Sequence, residues 1–182
     1  MTPWAALALL PALAASGCGA NGSVGTHPTP PPAGSTAIRA TAPIVVVDVS
    51  IGAVQIGMTI DEVHAEIGRS DQVRPSELHV GWERWTFRAR GLTVTFTERG
   101  EVWDVRTRSS LYHSNRGLRV GLREDAIRRR LPNSQCHAYG GRPRYRRWRI
   151  CTSGREFDGP FTRVLLIRGG AREISIAQGL AR

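Results

Sequence analysis

Residue types that often perform catalysis are present, but they lack catalytic spacing. The histidines, which do not have the spacing of metal ligands, are His27, His64, His79, His113 and His137. Asp61 and Glu62 are adjacent, yet their position favours the first turn of a helix, where the helix dipole stabilises acids. Glycine-rich phosphate loops, nucleophile elbows and HExxH motifs do not occur in the sequence. The sequence therefore indicates a binding protein rather than an enzyme, and we expect neither a metal nor a cofactor.

Cys18 is a candidate for covalent lipidation. The apolar run over residues 4–14 has the length of a signal-peptide core and is followed by Ala-Ser-Gly-Cys at residues 15–18. This ending resembles the bacterial lipobox, in which small residues precede a cysteine that is diacylated. The resemblance implies that residues 1–17 are a lipoprotein signal peptide and that Cys18 carries the lipid anchor. An ordinary secretory signal, cleaved near Ala15, is the alternative.

Two further cysteines remain if Cys18 is lipidated, and an exported protein is expected to join them. Fourteen residues separate Cys136 from Cys151. A disulfide that closes a loop of this size restricts the unfolded chain by about 3 kcal/mol in the entropic model. The spacing does not match a CxxC redox or zinc motif. We therefore predict a structural disulfide between Cys136 and Cys151.

Composition and charge change along the chain. Residues 18–43 are rich in Pro, Gly, Ser and Thr and nearly uncharged, which predicts a disordered tether. All 25 basic residues are arginines, and residues 116–182 carry 16 of them against 5 acids. The absence of lysine reflects either GC-rich coding or selection for bidentate anion contacts. Such a basic half can attract an acidic protein, an anionic lipid or an anionic polymer.

An internal repeat organises the rest of the sequence. Val-Gln-Ile-Gly-Met-Thr-Ile-Asp-Glu-Val at 54–63 is echoed by Leu-Arg-Val-Gly-Leu-Arg-Glu-Asp-Ala-Ile at 118–127, an offset of 64. In each copy a glycine precedes a helix start with acids in its first turn. The alternating segments that follow predict a three-stranded antiparallel meander in each copy. The strands are expected at 82–88, 92–97, 102–107, 144–151, 161–167 and 172–177.

The repeat predicts an α+β fold. Repeat 1 covers residues 44–115 and repeat 2 covers residues 116–182, each with a short helix followed by a β-meander. We expect the two repeats to form one sheet with the helices on one face.

This doubled pattern of a Gly-Met-Thr helix start and an aromatic-rich meander resembles the tandem-repeat fold of the β-lactamase inhibitory protein family. More distantly, it resembles the small lipoproteins of the outer-membrane β-barrel assembly machine. The resemblance covers about residues 50–178 and rests on structural positions such as Gly57, Gly121 and Trp85. The inhibitor family implies a concave sheet that wraps around a partner protein.

Candidate binding residues follow from strand alternation. Trp85 and Phe87 recur as Trp148 and Ile150 at an offset of 63, so both pairs are expected to face the helices. Their neighbours would then occupy the opposite, open face of the sheet. Aromatic and arginine side chains dominate binding hot spots, although any solvated strand of an arginine-only protein would also carry arginines. The candidates are Trp82, Arg84, Arg88, Tyr145, Arg147 and Arg149.

Together these features predict a lipoprotein on the outer face of the cytoplasmic membrane. We expect it to bind an envelope protein through the open face of its sheet. The alternative is electrostatic binding of anionic lipid or cell-wall polymer by repeat 2. An enzyme inhibitor would also require a target enzyme, of which the sequence carries no sign. The pI near 11.2 would suit a nucleic-acid partner, but export argues against one.

Overall fold

β-Strands make up most of the regular structure in the computed structural model, which describes residues 43–77, 79–140, 145–154 and 159–179. All of these residues belong to one compact unit, Thr36–Arg182. The predicted signal peptide, Cys18 and nearly all of the tether lie outside the described residues. Among the helices that are described, none is long and apolar enough to cross a membrane.

The described residues form twelve strands, two α-helices and a short 3-10 helix at Arg88–Arg90. The helices are α1 (Ile60–Ile67) and α2 (Glu124–Arg130). The strands are β1 (Ile44–Val46), β2 (Ser50–Ile51), β3 (Val54–Gln55), β4 (Gln72–Pro75), β5 (Glu83–Phe87), β6 (Leu92–Phe96), β7 (Val102–Thr107), β8 (His113–Ser114), β9 (Gln135–Ala138), β10 (Trp148–Thr152), β11 (Pro160–Ile167) and β12 (Gly170–Gln178).

The strands form two sheets. The large sheet has eight antiparallel strands in the order β4-β5-β6-β7-β12-β11-β10-β9. Its centre is the pair β7 and β12, which joins strands from the two halves of the chain. The small sheet has the order β3-β2-β1-β8, in which only β1 and β8 run parallel.

The core lies on one face of the large sheet. Val94 of β6 and Ile174 of β12 are fully buried there, in the same cluster as Ile51 of the small sheet. Val63 of α1 and Ile127 of α2 complete this cluster. Period-two alternation of apolar residues in the long strands therefore gives the sheet one covered face and one open face.

Both helices are attached to the large sheet through the glycine that precedes them. The Gly57 backbone N–H donates to the Val102 carbonyl at 2.8 Å, and the Gly121 N–H donates to the Ala171 carbonyl at 2.9 Å. These glycines have φ values of 86° and 95°, which a residue with a Cβ rarely adopts. The glycines of the sequence motif thus dock each helix at the start of a central strand.

The expected fold class is wrong. The chain is mostly β rather than an α+β pair of repeats, because a second, four-stranded sheet shares the covered face with two short helices. Val45, Ile51 and Val54 of the small sheet are buried in the core, although no strand was expected there. Its strands have two or three residues, too few to show a period in the sequence.

The predicted disulfide is confirmed. Cys136 and Cys151 are bonded, and they lie directly opposite each other on the antiparallel strands β9 and β10. Cys151 is fully buried in the core, whereas β9 is an edge strand of the large sheet. The bond therefore holds an otherwise weakly anchored edge strand to the core.

Reduction of this disulfide should lower the free energy of unfolding by about 3 kcal/mol, because the unfolded chain regains the entropy of the closed loop. Urea unfolding with and without reductant measures the change. The double variant Cys136→Ala/Cys151→Ala is the control, since reductant should leave it unchanged. An equal effect of reductant on both proteins would contradict the prediction.

The start of α1 carries a capping box that α2 lacks. The Glu62 N–H donates to Thr59 Oγ1 at 3.4 Å, and the Thr59 N–H donates to Glu62 Oε2 at 2.7 Å. Arg123 holds the matching position before α2 and makes no capping hydrogen bond with its side chain. The two helices therefore offer a matched pair for measuring what the cap contributes.

Thr59→Ala should lower the free energy of unfolding by about 1 kcal/mol because it leaves helix N–H groups without an acceptor. Arg123→Ala should change it by less than about 0.5 kcal/mol. Thermal and urea unfolding of both variants provide the measurement. Equal losses in the two variants would show that the side-chain cap of α1 contributes nothing.

Candidate binding groove

The open face of the large sheet carries a groove of about 740 Å³. Arg163 and Leu165 of β11 face it, and they alternate with Val164 and Leu166, which belong to the core. The groove spans β7, β12, β11 and β10. It is lined by Trp103, Arg106, Arg108, Val120, Tyr139, Trp148, Ile150, Arg163, Leu165, Ile167, Arg172 and Glu173.

Two aromatic clusters extend from this groove. The first cluster is His79, Trp82 and Trp103, in which the Trp82 and Trp103 ring centroids are 5.1 Å apart and those of His79 and Trp82 are 4.2 Å apart. The second cluster is Tyr139, Tyr145 and Trp148. Its closest ring pair, Tyr145 and Trp148, has centroids 4.7 Å apart. Rings packed in this way present apolar area whose conformational freedom is already reduced.

A network of charged side chains forms the floor of the groove. Arg106 Nη2 lies 2.6 Å from Asp104 Oδ2 and its Nη1 lies 3.8 Å from Glu173 Oε1. Arg108 Nε donates to Glu173 Oε2 at 2.9 Å, and Arg163 Nη2 lies 3.8 Å from Asp104 Oδ1. Three guanidinium groups thus share two carboxylates at the centre of the sheet, which leaves one excess positive charge.

Burial perturbs the ionisation of this network. Desolvation raises the pKa of Asp104, although the charges of Arg106 and Arg163 act in the opposite direction. Burial also disfavours the charged form of Arg106, but Asp104 and Glu173 outweigh it and raise the pKa of that guanidinium. Asp104 Oδ1 is buried and accepts no hydrogen bond from any described residue. The network therefore holds the Arg106 guanidinium in place, but it leaves the Asp104 carboxylate poorly solvated.

Next to the groove, the open face carries a second depression of about 440 Å³, which we call the arginine hollow. It shares Arg106, Arg108 and Glu173 with the groove. Its remaining lining residues, from β4 to β7 and the adjoining turns, are Gln72, Arg74, Glu77, Arg84, Thr86, Phe87, Arg88, Gly91, Leu92, Thr93 and Thr107. The open face is thus mainly polar and basic on one side and mainly apolar on the other.

Four of the six candidate residues lie in the aromatic clusters or in the arginine hollow. Trp82 belongs to the first aromatic cluster and Tyr145 to the second. Arg84 and Arg88 line the arginine hollow, where Arg84 Nη2 pairs with Glu77 Oε1 at 3.1 Å. Arg147 is exposed just before β10, and its carbonyl accepts a hydrogen bond from the Arg168 N–H. Whether these side chains bind a ligand stays a prediction.

The orientation predicted for β10 is wrong. Trp148 and Ile150 line the groove, whereas Arg149 faces the helices, where its Nε lies 2.7 Å from Glu124 Oε2 of α2. Trp148 lies 63 residues after Trp85, whereas the helix starts repeat at an offset of 64. This difference of one residue puts Trp148 on the opposite face of the sheet from Trp85. Cys151 gives the correct phase, because it is buried in the core and residues two apart share a face.

Several groove residues were missed in the sequence. Trp103, Tyr139, Arg163 and Glu173 line the groove, and none of them was a candidate. A usable signal was present, since Arg163 and Glu173 interrupt otherwise apolar strands and Asp104 does the same in β7. A charged residue in the middle of a central strand needs a partner on its own face.

One group of possible metal ligands occurs among the described residues. Glu124, Cys136 and Cys151 offer atoms that lie within 4.8 Å of one another. The two sulfurs are bonded to each other, so they are not available as thiolate ligands. Glu124 is itself paired with Arg128 and Arg149. This group therefore stabilises β9, β10 and α2 rather than holding an ion.

No protein-family model and no curated protein matches the chain. Among solved structures, it is similar to an extracellular protein containing an SCP domain from Bacillus anthracis, with 11% identity and a TM-score of 0.46 over 67% of this chain and 43% of that one. It is also similar to a cysteine-rich secretory protein from Staphylococcus aureus, with 13% identity and a TM-score of 0.40 over 67% of this chain and 44% of that one. The chain thus spans less than half the length of either protein, and likenesses this weak assign neither fold nor function.

Asp104→Asn tests the cost of the buried carboxylate. Because burial raises the pKa of Asp104 above its ordinary value of 3.8, the unfolded chain ionises first as pH rises. Asp104 therefore makes its full contribution to the free energy of unfolding below pH 3.8, and that contribution is lost as pH rises. We expect the unfolding free energy of the wild type, taken relative to that of Asp104→Asn, to fall as pH rises above about 4.

Asp125→Asn is the matched control, since the hydrogen bond from Arg129 lowers the pKa of Asp125 on exposed α2. Its stability contribution is present above the ordinary aspartate pKa and lost as pH falls, so the same difference should rise with pH. Urea unfolding across the pH range measures both. A rising difference for Asp104→Asn would contradict the prediction.

Proposed function

We propose that this protein is an exported, non-enzymatic binding module whose groove holds a segment of an envelope protein. The observation that carries the proposal is the groove itself, where Trp103, Tyr139 and Trp148 surround apolar side chains above a fixed guanidinium floor. Tyr, Trp and Arg are the residues that dominate the energy of protein interfaces. The groove volume of about 740 Å³ is within the range that takes several buried side chains.

Preorganisation supports the same proposal. Trp103 packs on Trp82, and Trp148 packs on Tyr145, so little side-chain entropy remains to be lost when a partner binds. Arg106 is likewise held between two acids and cannot collapse onto other groups. A segment that enters the groove therefore meets side chains whose conformational freedom is already reduced.

The disulfide supports export, because bonds of this kind persist in oxidising compartments. The lipobox resemblance of residues 15–18 adds the proposal that the exported domain is tethered to the outer face of the cytoplasmic membrane by a lipid on Cys18. The purely electrostatic alternative has weaker support. Arg128 and Arg129 of α2 pair with Glu124 and Asp125, so much of the basic charge of α2 is balanced locally.

Site-specific photocrosslinking in cells tests the proposal. A photoreactive residue at position 148 should yield one discrete crosslinked envelope protein, because Trp148 faces the groove. The same residue at Leu111, which is 71% exposed and outside the groove lining, is the control and should not yield that product. The same product at both positions, or crosslinks only to lipid or polymer, would contradict the proposal.

Purified partner and full-length protein then give the energetics. Trp103→Ala and Trp148→Ala should each weaken binding about 30-fold, the loss expected for an aromatic hot spot of about 2 kcal/mol. Leu111→Ala should change affinity by less than about twofold. The part of the affinity that Trp103 and Trp148 supply should persist at high salt, whereas a purely charge-driven surface would lose nearly all of its affinity as screening increases.

A further inference from the structure

We infer that the arginine hollow is a subsite for carboxylates, so that the segment held in the groove carries acidic residues next to its apolar ones. This inference rests on the proposed function and names the chemistry of the same bound segment. It follows from the register of the strands, from the balance of charge and from the continuity of the two depressions.

The register of β4 and β5 places two cations opposite each other. Arg74 pairs directly with Arg84 across the strands. Like charges at such positions destabilise a sheet. The nearby Glu77 pairs with Arg84, but its side chain is 87% exposed, so this bond is weak. The fold thus tolerates a local repulsion that an anion bound in the hollow would relieve.

The hollow as a whole carries excess positive charge. Five arginines line it against the two acids Glu77 and Glu173. Glu173 is already shared by Arg106 and Arg108. Arg74 and Arg88 form no ion pair with any of the described residues, and the Arg74 guanidinium donates only to the neutral amide oxygen of Gln72. With Asp104, which pairs with Arg106 beneath the surface, three acids balance three of the five arginines, so two net positive charges remain on one open depression.

The donors of the hollow suit carboxylates. Guanidinium groups bind carboxylates through paired N–H donors, and the bond is stronger than one between neutral groups. Thr86 and Thr93 lie opposite each other on β5 and β6 and add hydroxyl donors between the arginines. The combination of planar cations and hydroxyls on a pleated surface favours several separate carboxylates over one large anion.

The size of the combined surface favours a peptide over a lipid headgroup. From β5 to β10 the sheet crosses five strand spacings, or about 24 Å at about 4.8 Å each. An extended peptide of about seven residues covers this distance. Because Arg106 and Arg108 line both depressions, one segment can pass from the hollow into the groove without a break. Its acidic residues would lie over β4 to β7 and its apolar residues over β12 to β10.

Selection from a displayed library of random heptapeptides against the full-length protein tests this inference. We expect the selected peptides to combine Asp or Glu at one end with aromatic or aliphatic residues at the other. The hollow variant Arg74→Gln/Arg88→Gln should select peptides without the acids but with the same apolar residues. It should also bind a wild-type-selected peptide at least about tenfold more weakly, the loss expected for one charge-assisted hydrogen bond.

The double variant Arg116→Gln/Arg119→Gln is the control for net charge, because both residues are exposed and line neither depression. It should select acidic peptides as the wild type does. Equal loss of acids with both double variants would show that general electrostatics, not the hollow, attracts them, and would overturn the inference. Arg74→Gln/Arg88→Gln could also weaken the binding of phosphatidylglycerol vesicles more than the binding of peptides. The occupant would then be a lipid surface, and the inference would be overturned.

The two proposals fail in different ways. Apolar peptides without acids, selected by the wild type and lost with Trp148→Ala, would refute the carboxylate subsite and leave the groove standing. Peptides selected without apolar residues, or unaffected by Trp148→Ala, would refute the groove as a protein-binding site. A library that yields no binding peptide counts against both.

Discussion

The pairing of β7 with β12 is the constraint on which the rest of the structure depends. It joins strands that are about 70 residues apart and makes one sheet from both halves of the chain. On the covered face it brings Val105 opposite Ile176 in the core. On the open face it brings Arg106 opposite Ser175, between Asp104 and Glu173. The same register therefore sets both the core and the floor of the groove.

The charged floor is expensive for a protein of this size. Asp104 is fully buried, and replacing buried ion pairs by apolar residues is often neutral or stabilising. The core does not need these charges, because it lies on the other face of the sheet. Their cost is understandable if the guanidinium groups are required on the open face. Cations held there by acids stay extended toward a ligand instead of folding back onto the protein surface.

The large sheet can keep an open face only because its other face is fully covered. The small sheet, α1 and α2 together bury the apolar side of the strands, and the disulfide secures β9 at one edge. Arg149 belongs to this covered side, where it links β10 to Glu124 of α2. The aromatic residues of the groove are consequently not needed for the core and are available for binding. An open apolar surface of this kind usually marks an interaction site.

Local sequence signals are enough to predict the two helices and the long strands. Glycine, polar and acidic residues near positions 57 and 121 specify the helix starts, and alternation specifies the six long strands of the large sheet within a few residues. Counting cysteines specified the disulfide. These signals act between residues close in the chain, so they can be recognised without knowing the fold.

Two features depend on long-range pairing: the side of β10 that faces the core, and the formation of the small sheet. β10 pairs with β11 in regular register, with Cys151 opposite Val164 of the core, so Trp148 and Ile150 do not share the face of Cys151. Trp148 therefore lies in the groove and not in the core, although its surroundings in the sequence match those of Trp85. The floor network also depends on strands distant in sequence, because its charges meet only after β7, β11 and β12 have paired.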